Sequence, residues 1–271
     1  MGIPAWVSLR GYAPPNVWRA DQLEATAMPT RVGTCGWQYD DWRDAFYGGA
    51  PKSSWLSEYA QSFDTVECDN AFYRLPARET FAKWAAALPP GFTMAVKASR
   101  FLTHIKRLAD PSEPVQRLLD SCDGLRERLG PILLQLPPNL GIELARLDEA
   151  LACFPPSIRV AVEPRHESWW TDDLRRLLEK RGAALVWADR LGKPVTPLWR
   201  TTDWGYVRLH EGRARPWPRY GDAALRTWRT RMVETWSRSD DVFVYFNNDP
   251  GAAAIRNART FAQMAARTTA A

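Results

Sequence analysis

The chain has 271 residues, 45% of them hydrophobic and 25% charged, which suits one large α/β domain or two small ones. Its net charge of +5 admits an anionic ligand, but no dense Lys/Arg run marks a strong nucleic-acid footprint. Cys35, Cys68, Cys122 and Cys153 form no CxxC pair, which excludes a disulfide framework and argues against cysteine-held zinc or iron–sulfur.

No apolar stretch reaches transmembrane length, and the first thirty residues lack a basic segment followed by an apolar run. A cytoplasmic chain with no membrane partner is therefore expected. Residues 1–30 read as an extension, and 31–271 as the folded domain.

Eight β-rich runs follow in chain order: 31–36, 65–70, 92–97, 132–136, 158–163, 183–188, 205–210 and 242–247. Most are apolar at nearly every position, as in VAVE and FVYF, the pattern of parallel strands buried on both faces. Helical stripes lie between most of them. Trp55, Leu56, Tyr59 and Phe63 form the first, and Phe81, Trp84, Ala85 and Leu88 the second. Others are centred on Leu118, Leu147, Leu177, Trp228 and Ala258.

Alternating strands and helices predict a parallel sheet with right-handed crossovers, and eight repeats predict a (β/α)₈ TIM-type barrel. A doubly wound sheet is the alternative, but strand one runs into Trp37-Gln38-Tyr39 rather than a Gly-rich phosphate loop. Residues 189–204 carry Pro194 and Pro197 and no helical period, so the unit between strands six and seven is expected to be irregular.

Strand ends of such a barrel point into one mouth, where active sites gather. The candidates for acid/base or charge-stabilising chemistry are Glu67, Lys97, Glu163, His166 and His210. Glu67 or Glu163 would be the general base, with His166 or His210 donating the proton. Candidate ligand contacts are Trp37, Tyr39, Asp69, Asn70, Tyr73, Arg100, Thr103, His104, Gln135, Arg165, Trp169, Asp189, Arg208, Asn247 and Asn248. The arginines and Lys97 suit phosphate or carboxylate, and the aromatics could stack on a sugar or base or simply cap the mouth. Each charge also has a structural reading, since Glu67 with Lys97, or Glu163 with Arg208, could form internal ion pairs.

The three histidines and nearby acids could hold a divalent metal, but no HxH or HExxH spacing favours one.

The segments VGTCGWQYDDW, DTVECDNAFYRLP, MAVKASRFLTHIKRL, LGPILLQLPPNL, VAVEPRHESWW, YVRLH, VYFNND and AIRNA run from residue 32 to 258. Together they resemble the YecE-like family, a domain of unknown function. The resemblance implies a TIM-type barrel. It also implies that Glu67, Lys97, Thr103, His104, Gln135, Glu163, Arg165, His166, Arg208, His210 and Asn247 occupy that family's polar motif positions. The sequence departs from the pattern at Asp69, Pro164 and Glu211, and the first and last of these add negative charge in or near the mouth.

Three functions follow as expectations. The first is an enzyme or binder of a small anionic ligand. The second is a metal-dependent phosphodiester hydrolase, by analogy with endonuclease IV, although three histidines are few for a multi-metal site. The third is a non-catalytic nucleic-acid-binding barrel. Function resides in the site rather than the fold, so the analogy alone decides nothing.

Overall fold

The computed structural model describes residues 28–237 and 240–266, so the predicted extension over residues 1–30 lies almost wholly outside the described residues. The strands are β1 (Thr30–Thr34), β2 (Thr65–Cys68), β3 (Thr93–Lys97), β4 (Leu129–Gln135), β5 (Val160–Glu163), β6 (Ala184–Leu185), β7 (Trp187–Arg190), β8 (Lys193–Pro194), β9 (Gly205–Leu209) and β10 (Val242–Phe246). The helices are α1 (Trp42–Ala45), α2 (Trp55–Tyr59), α3 (Asn70–Tyr73), α4 (Arg78–Ala87), α5 (Ser112–Cys122), α6 (Leu144–Ala152), α7 (Asp172–Arg181), α8 (Asp222–Thr235) and α9 (Ala253–Ala266).

The strands form two five-stranded sheets, ordered β1-β10-β9-β7-β8 and β2-β3-β4-β5-β6. Every pairing is parallel except β7 with β8. The architecture is thus α/β with parallel sheets, although hydrogen bonding divides into two sheets what the sequence predicts as one eightfold wall. The sheets meet at two seams. Cys35 makes a parallel bridge to Glu67, and Val186, between β6 and β7, donates its N–H to Val162 O.

The expected irregular unit is a hairpin. Leu191 and Gly192, both at positive φ, turn β7 into β8. Residues after the hairpin then cover the sixth strand through side chains. Thr196 accepts from Ala188 N, and Thr201 accepts from Leu185 N.

Local signals explain most elements. In α7, Thr171 caps the N-terminus by accepting from Leu174 N. Asp172 and Asp173 fill its first turn, Lys180 and Arg181 its last, and Gly182 ends it at φ 62°.

The core has two parts. Helices pack on the outer strand faces through Trp55, Phe81, Leu118, Leu147, Leu178 and Trp228. A second cluster lies between the sheets, where Cys35, Ala95, Ala161, Ala184 and Ala188 face Trp204, Tyr206, Phe243 and Tyr245. Small residues on one side leave room for aromatic rings from β9 and β10, giving the interdigitation that dense packing requires.

Candidate functional site

Side chains alternate along a strand, so Tyr206, Arg208 and His210 follow one another on the inner face of β9 and its exit. Arg208 lies fully buried between opposing strands. Its Nη1 is 2.6 Å from Glu163 Oε2 on β5, and its Nη2 is 2.7 Å from Glu67 Oε1 on β2. Nη2 also stands 3.8 Å from Asp69 Oδ1. Tyr206 donates its hydroxyl to the other Glu67 oxygen. One guanidinium fork thus ties two carboxylates across the interior.

Above this layer the polar groups reach an opening. Gln135 Nε2 donates to Glu163 Oε2 at 3.0 Å, the two residues being register partners on β4 and β5. His210 Nε2 is 2.9 Å from Glu163 Oε1, and Asn247 Nδ2 is 3.0 Å from His210 Nδ1. Lys97 Nζ lies 3.6 Å from Asp69 Oδ1 and 4.4 Å from the centre of the Phe72 ring. A cleft of about 470 Å³ opens here, with Lys97, Gln135, Glu163, Arg165, His210 and Asn247 on its wall. Val195 and Thr196, from the segment after the hairpin, close one side.

The two buried glutamates have opposite electrostatics. Burial dominates for Glu67 and, with the charge of Asp69, pushes its carboxyl up to about 7 against the pull of Arg208. Burial would also raise Glu163, but Arg208 and His210 outweigh it and hold that carboxyl well below the usual carboxylate range. Glu163 is therefore an anion that orients its neighbours and a poor proton acceptor. Glu67 is the more basic of the two, but Arg208 and Tyr206 hold its oxygens and it has no exposed surface. Burial pushes Asp249 up to about 8, with the charge of Asp69 adding to the effect.

The family described as "Protein of unknown function DUF72" matches residues 31–271. The chain belongs to the DUF72 family. UPF0759 protein YunF of Bacillus subtilis (strain 168) is 24% identical over 268 residues, spanning 86% of this chain and 93% of YunF. A DUF72 family protein (TM1631) from Thermotoga maritima MSB8 superposes with a TM-score of 0.76 at 27% identity, covering 87% of this chain and 98% of that one. SacUVDE shares the fold alone, with 10% identity, a TM-score of 0.54 and coverage of 89% and 99%. The YecE-like resemblance is consistent with DUF72 membership.

Within this DUF72 domain the structure gathers Glu67, Asp69, Lys97, Gln135, Glu163, Arg165, Arg208, His210 and Asn247 into one constellation. Thr103 and His104 stand beside it. Their side chains are 2.9 Å apart, and the imidazole meets Phe72 edge-on at 4.9 Å. Tyr39 donates its hydroxyl to Cys35 O and stands beside Asp249. Arg100 is exposed.

Other predicted site residues lie elsewhere. Trp37 is buried edge-on against Trp84, and Trp169 is buried with its Nε1 donating to Leu140 O. Asp189 points away from the cleft and accepts from Tyr220, Trp228 and Gly192. Asn248 donates to Pro218 O and Asn257 Oδ1. His166 caps a short turn by accepting from Ser168 N. Asn70 holds Gln38, and Tyr73 lines an outer groove with Trp84 and Arg117. The alternation of side chains explains the inward/outward split, since Ala188 and Asn247 face inward while Asp189 and Asn248 face out. Tyr206 and Thr196 were not among the candidates, although Tyr206 was within reach by counting back two from Arg208.

The fold analogy raised a metal, and the donor set does not fit one. Among the described residues, Cys35, Glu67 and Asp69 alone bring three potential ligand atoms within 4.8 Å of one another. Arg208 Nη2 stands on all three, 3.5 Å from the Cys35 sulfur. Burial and then the charge of Glu67 push the Cys35 thiol well above its ordinary value. The guanidinium already supplies the positive charge there.

Proposed function

We propose that this chain is an enzyme acting on a small anionic polar compound in the cleft. The carrying observation is that a metabolite-sized opening of about 470 Å³ has Lys97, Arg165 and His210 on one wall system with the amides of Gln135 and Asn247. In this reading the two sheets serve as one TIM-type barrel wall, which the Cys35–Glu67 bridge and the Val186 seam support, and the cleft is its mouth.

Lys97 and Arg165 hold the anion, and Gln135 and Asn247 orient the uncharged part. His210 moves the proton. Its Nε2–H donates to Glu163, which leaves Nδ1 as the base once the ligand displaces the Asn247 amide. Glu163 then stabilises the imidazolium that forms. The general-base role expected for Glu163 or Glu67 passes to the histidine, because one carboxylate is too weak a base and the other lies beneath Arg208.

The phosphodiester-hydrolase reading rests on a fold-level analogy with endonuclease IV, and its metal chemistry lacks a fitting donor set. The nucleic-acid reading asks for an extended basic groove, whereas the charged groups here line a single cleft.

The experiment is a thermal-shift screen of phosphorylated and carboxylated metabolites at fixed ionic strength, followed by turnover assays of the hits. A native-state ligand must raise Tm. H210Q is expected to keep ligand binding and to lower kcat at least 100-fold. A screen in which no anion exceeds the chloride control, or an H210Q protein that turns over a hit at the wild-type rate, defeats the proposal.

A further inference from the structure

The cleft wall does not balance its own charge. Glu163 is committed to Arg208 and His210. Glu211 is committed to Arg190 at 3.2 Å and to Arg215 at 3.4 Å. Asp69 lies between Lys97 and Arg208. Arg100 and Arg165 are left over, since neither side chain has a hydrogen bond or a carboxylate partner among the described residues. Lone surface arginines are common, so the decisive point is where these two stand. Arg165 shares the cleft wall with Lys97, and Arg100 opens the turn that carries His104. Burial first, and then Lys97, Arg100 and Arg165 in turn, hold His104 below its ordinary value. The His104 ring meets Phe72 edge-on, while Phe72 in turn carries the Lys97 ammonium over its face.

The backbone at this spot is unusual as well. Arg100 leads into a single π-helical turn, Phe101–Ile105, which carries Thr103 and His104. Arg107, Leu108 and Asp110 follow at positive φ, at 50°, 63° and 41°. Such turns and strained positions concentrate where ligands bind, and the remaining structure must offset their cost.

We propose that the ligand carries a phosphoryl group, whose oxygens are taken by Lys97, Arg100 and Arg165 at the β3–β5 end of the cleft. Its uncharged remainder then lies toward Gln135, His210 and Asn247. This rests on the small-anion reading above and narrows it. A carboxylate brings one negative charge and two oxygens, enough for one guanidinium fork. A phosphoryl dianion brings two charges and three oxygens, which matches two unpartnered forks and an ammonium. It also sets the direction of the ligand, with the charged end at β3 and β5 and the reacting end at β9.

The test uses the full chain with inorganic phosphate and acetate as separate probes, at about pH 8, where phosphate is a dianion, and at matched ionic strength. Affinity is read by calorimetry. His104 ring resonances are followed by NMR. Phosphate is expected to bind at least tenfold more tightly than acetate. R100A and R165A should each weaken phosphate at least tenfold, and R165K should recover part of the loss. The His104 resonances should shift on titration with phosphate. Equal binding of phosphate and acetate overturns the phosphoryl proposal while leaving the small-anion reading standing. So does wild-type phosphate affinity in R100A and R165A. Binding of neither probe, together with an empty metabolite screen, removes both. The arginines are exposed, so their variants are expected to fold, and an unchanged melting temperature without ligand confirms that they do.

Discussion

Arg208 and Glu163 meet at 2.6 Å in the interior of the molecule, and the same guanidinium holds Glu67 at 2.7 Å. Both carboxylates and the arginine are buried. Ions in such a place are costly alone and tolerable only together. Replacing Arg208 by Met removes the cation and keeps most of the volume, leaving two uncompensated carboxyls. R208M is expected to lose about 3–5 kcal/mol in urea unfolding at neutral pH. The triple variant E67Q/R208M/E163Q removes the stranded charges and should regain most of that loss. A triple variant no more stable than R208M would show that packing of the guanidinium, rather than charge balance, sets its contribution.

Asp249 gives a pH test. Its folded value is about 8 against an ordinary 3.8, through burial and then the charge of Asp69, with the Tyr39 hydroxyl pulling the other way. The folded state therefore holds this proton more tightly than the unfolded chain does. The group imposes no cost below about 3.8, and stability falls as pH rises from there through about 8. The steepest slope is about 1.4 kcal/mol per pH unit. D249N cannot ionise, so unfolding measured from pH 5 to 9 should show a flatter decline than wild type. Its advantage should be largest at pH 9. Parallel curves for the two proteins would refute this account of Asp249.

Asp189 is expected to matter for folding and not for the cleft. It accepts from Tyr220 at 2.6 Å, Trp228 at 2.8 Å and Gly192 N at 3.1 Å. D189A leaves these donors in a dry interior and should cost about 3 kcal/mol. D189N keeps an acceptor and should cost less. Anion affinity of the surviving folded protein should match wild type. An affinity loss much larger than the stability loss would return Asp189 to the site.

The misplacement of Asp189 shows what was legible in the chain. Apolar runs such as VAVE and FVYF located the strands, and helical stripes located seven of the helices, because burial imposes a period that one sequence can carry. The polar constellation was legible as a set, since charges such as Glu67 and Arg208 interrupt otherwise apolar strands. Partners were harder to read. Glu67 pairs with Arg208 rather than Lys97, and Lys97 stands nearer Asp69, because strands distant in sequence choose their contacts in three dimensions. The facing of strand-end residues was lost wherever both neighbours on a strand were polar, as at Asn247 and Asn248. The division into two sheets was not visible either, since strand six reads as one run over 183–188 while its pairing breaks at Val186.

Gly33 links that wall to the site. A Cβ added there would lie 2.1 Å from Thr65 O and 3.0 Å from the Tyr59 hydroxyl. Backbone cannot yield as a flexible side chain does, so Gly33→Ala must push β1 away from β2. The displacement acts on the adjacent contacts, where Tyr59 accepts from Thr34 N at 2.9 Å and Gly36 N donates to Glu67 O at 2.8 Å. The expected stability loss is about 3 kcal/mol, at the upper end for overpacking. Hydrogen exchange should locate it, with protection falling first at Thr34 and Gly36 while Val244 and Val207, in the β10–β9 pairing, keep theirs. The seam also carries Glu67, so anion affinity should fall in G33A through loosening of the Arg208 fork. Uniform loss of protection across all strands would mean that the seam has no separate stability, and that β1 and β2 open only when the whole domain unfolds.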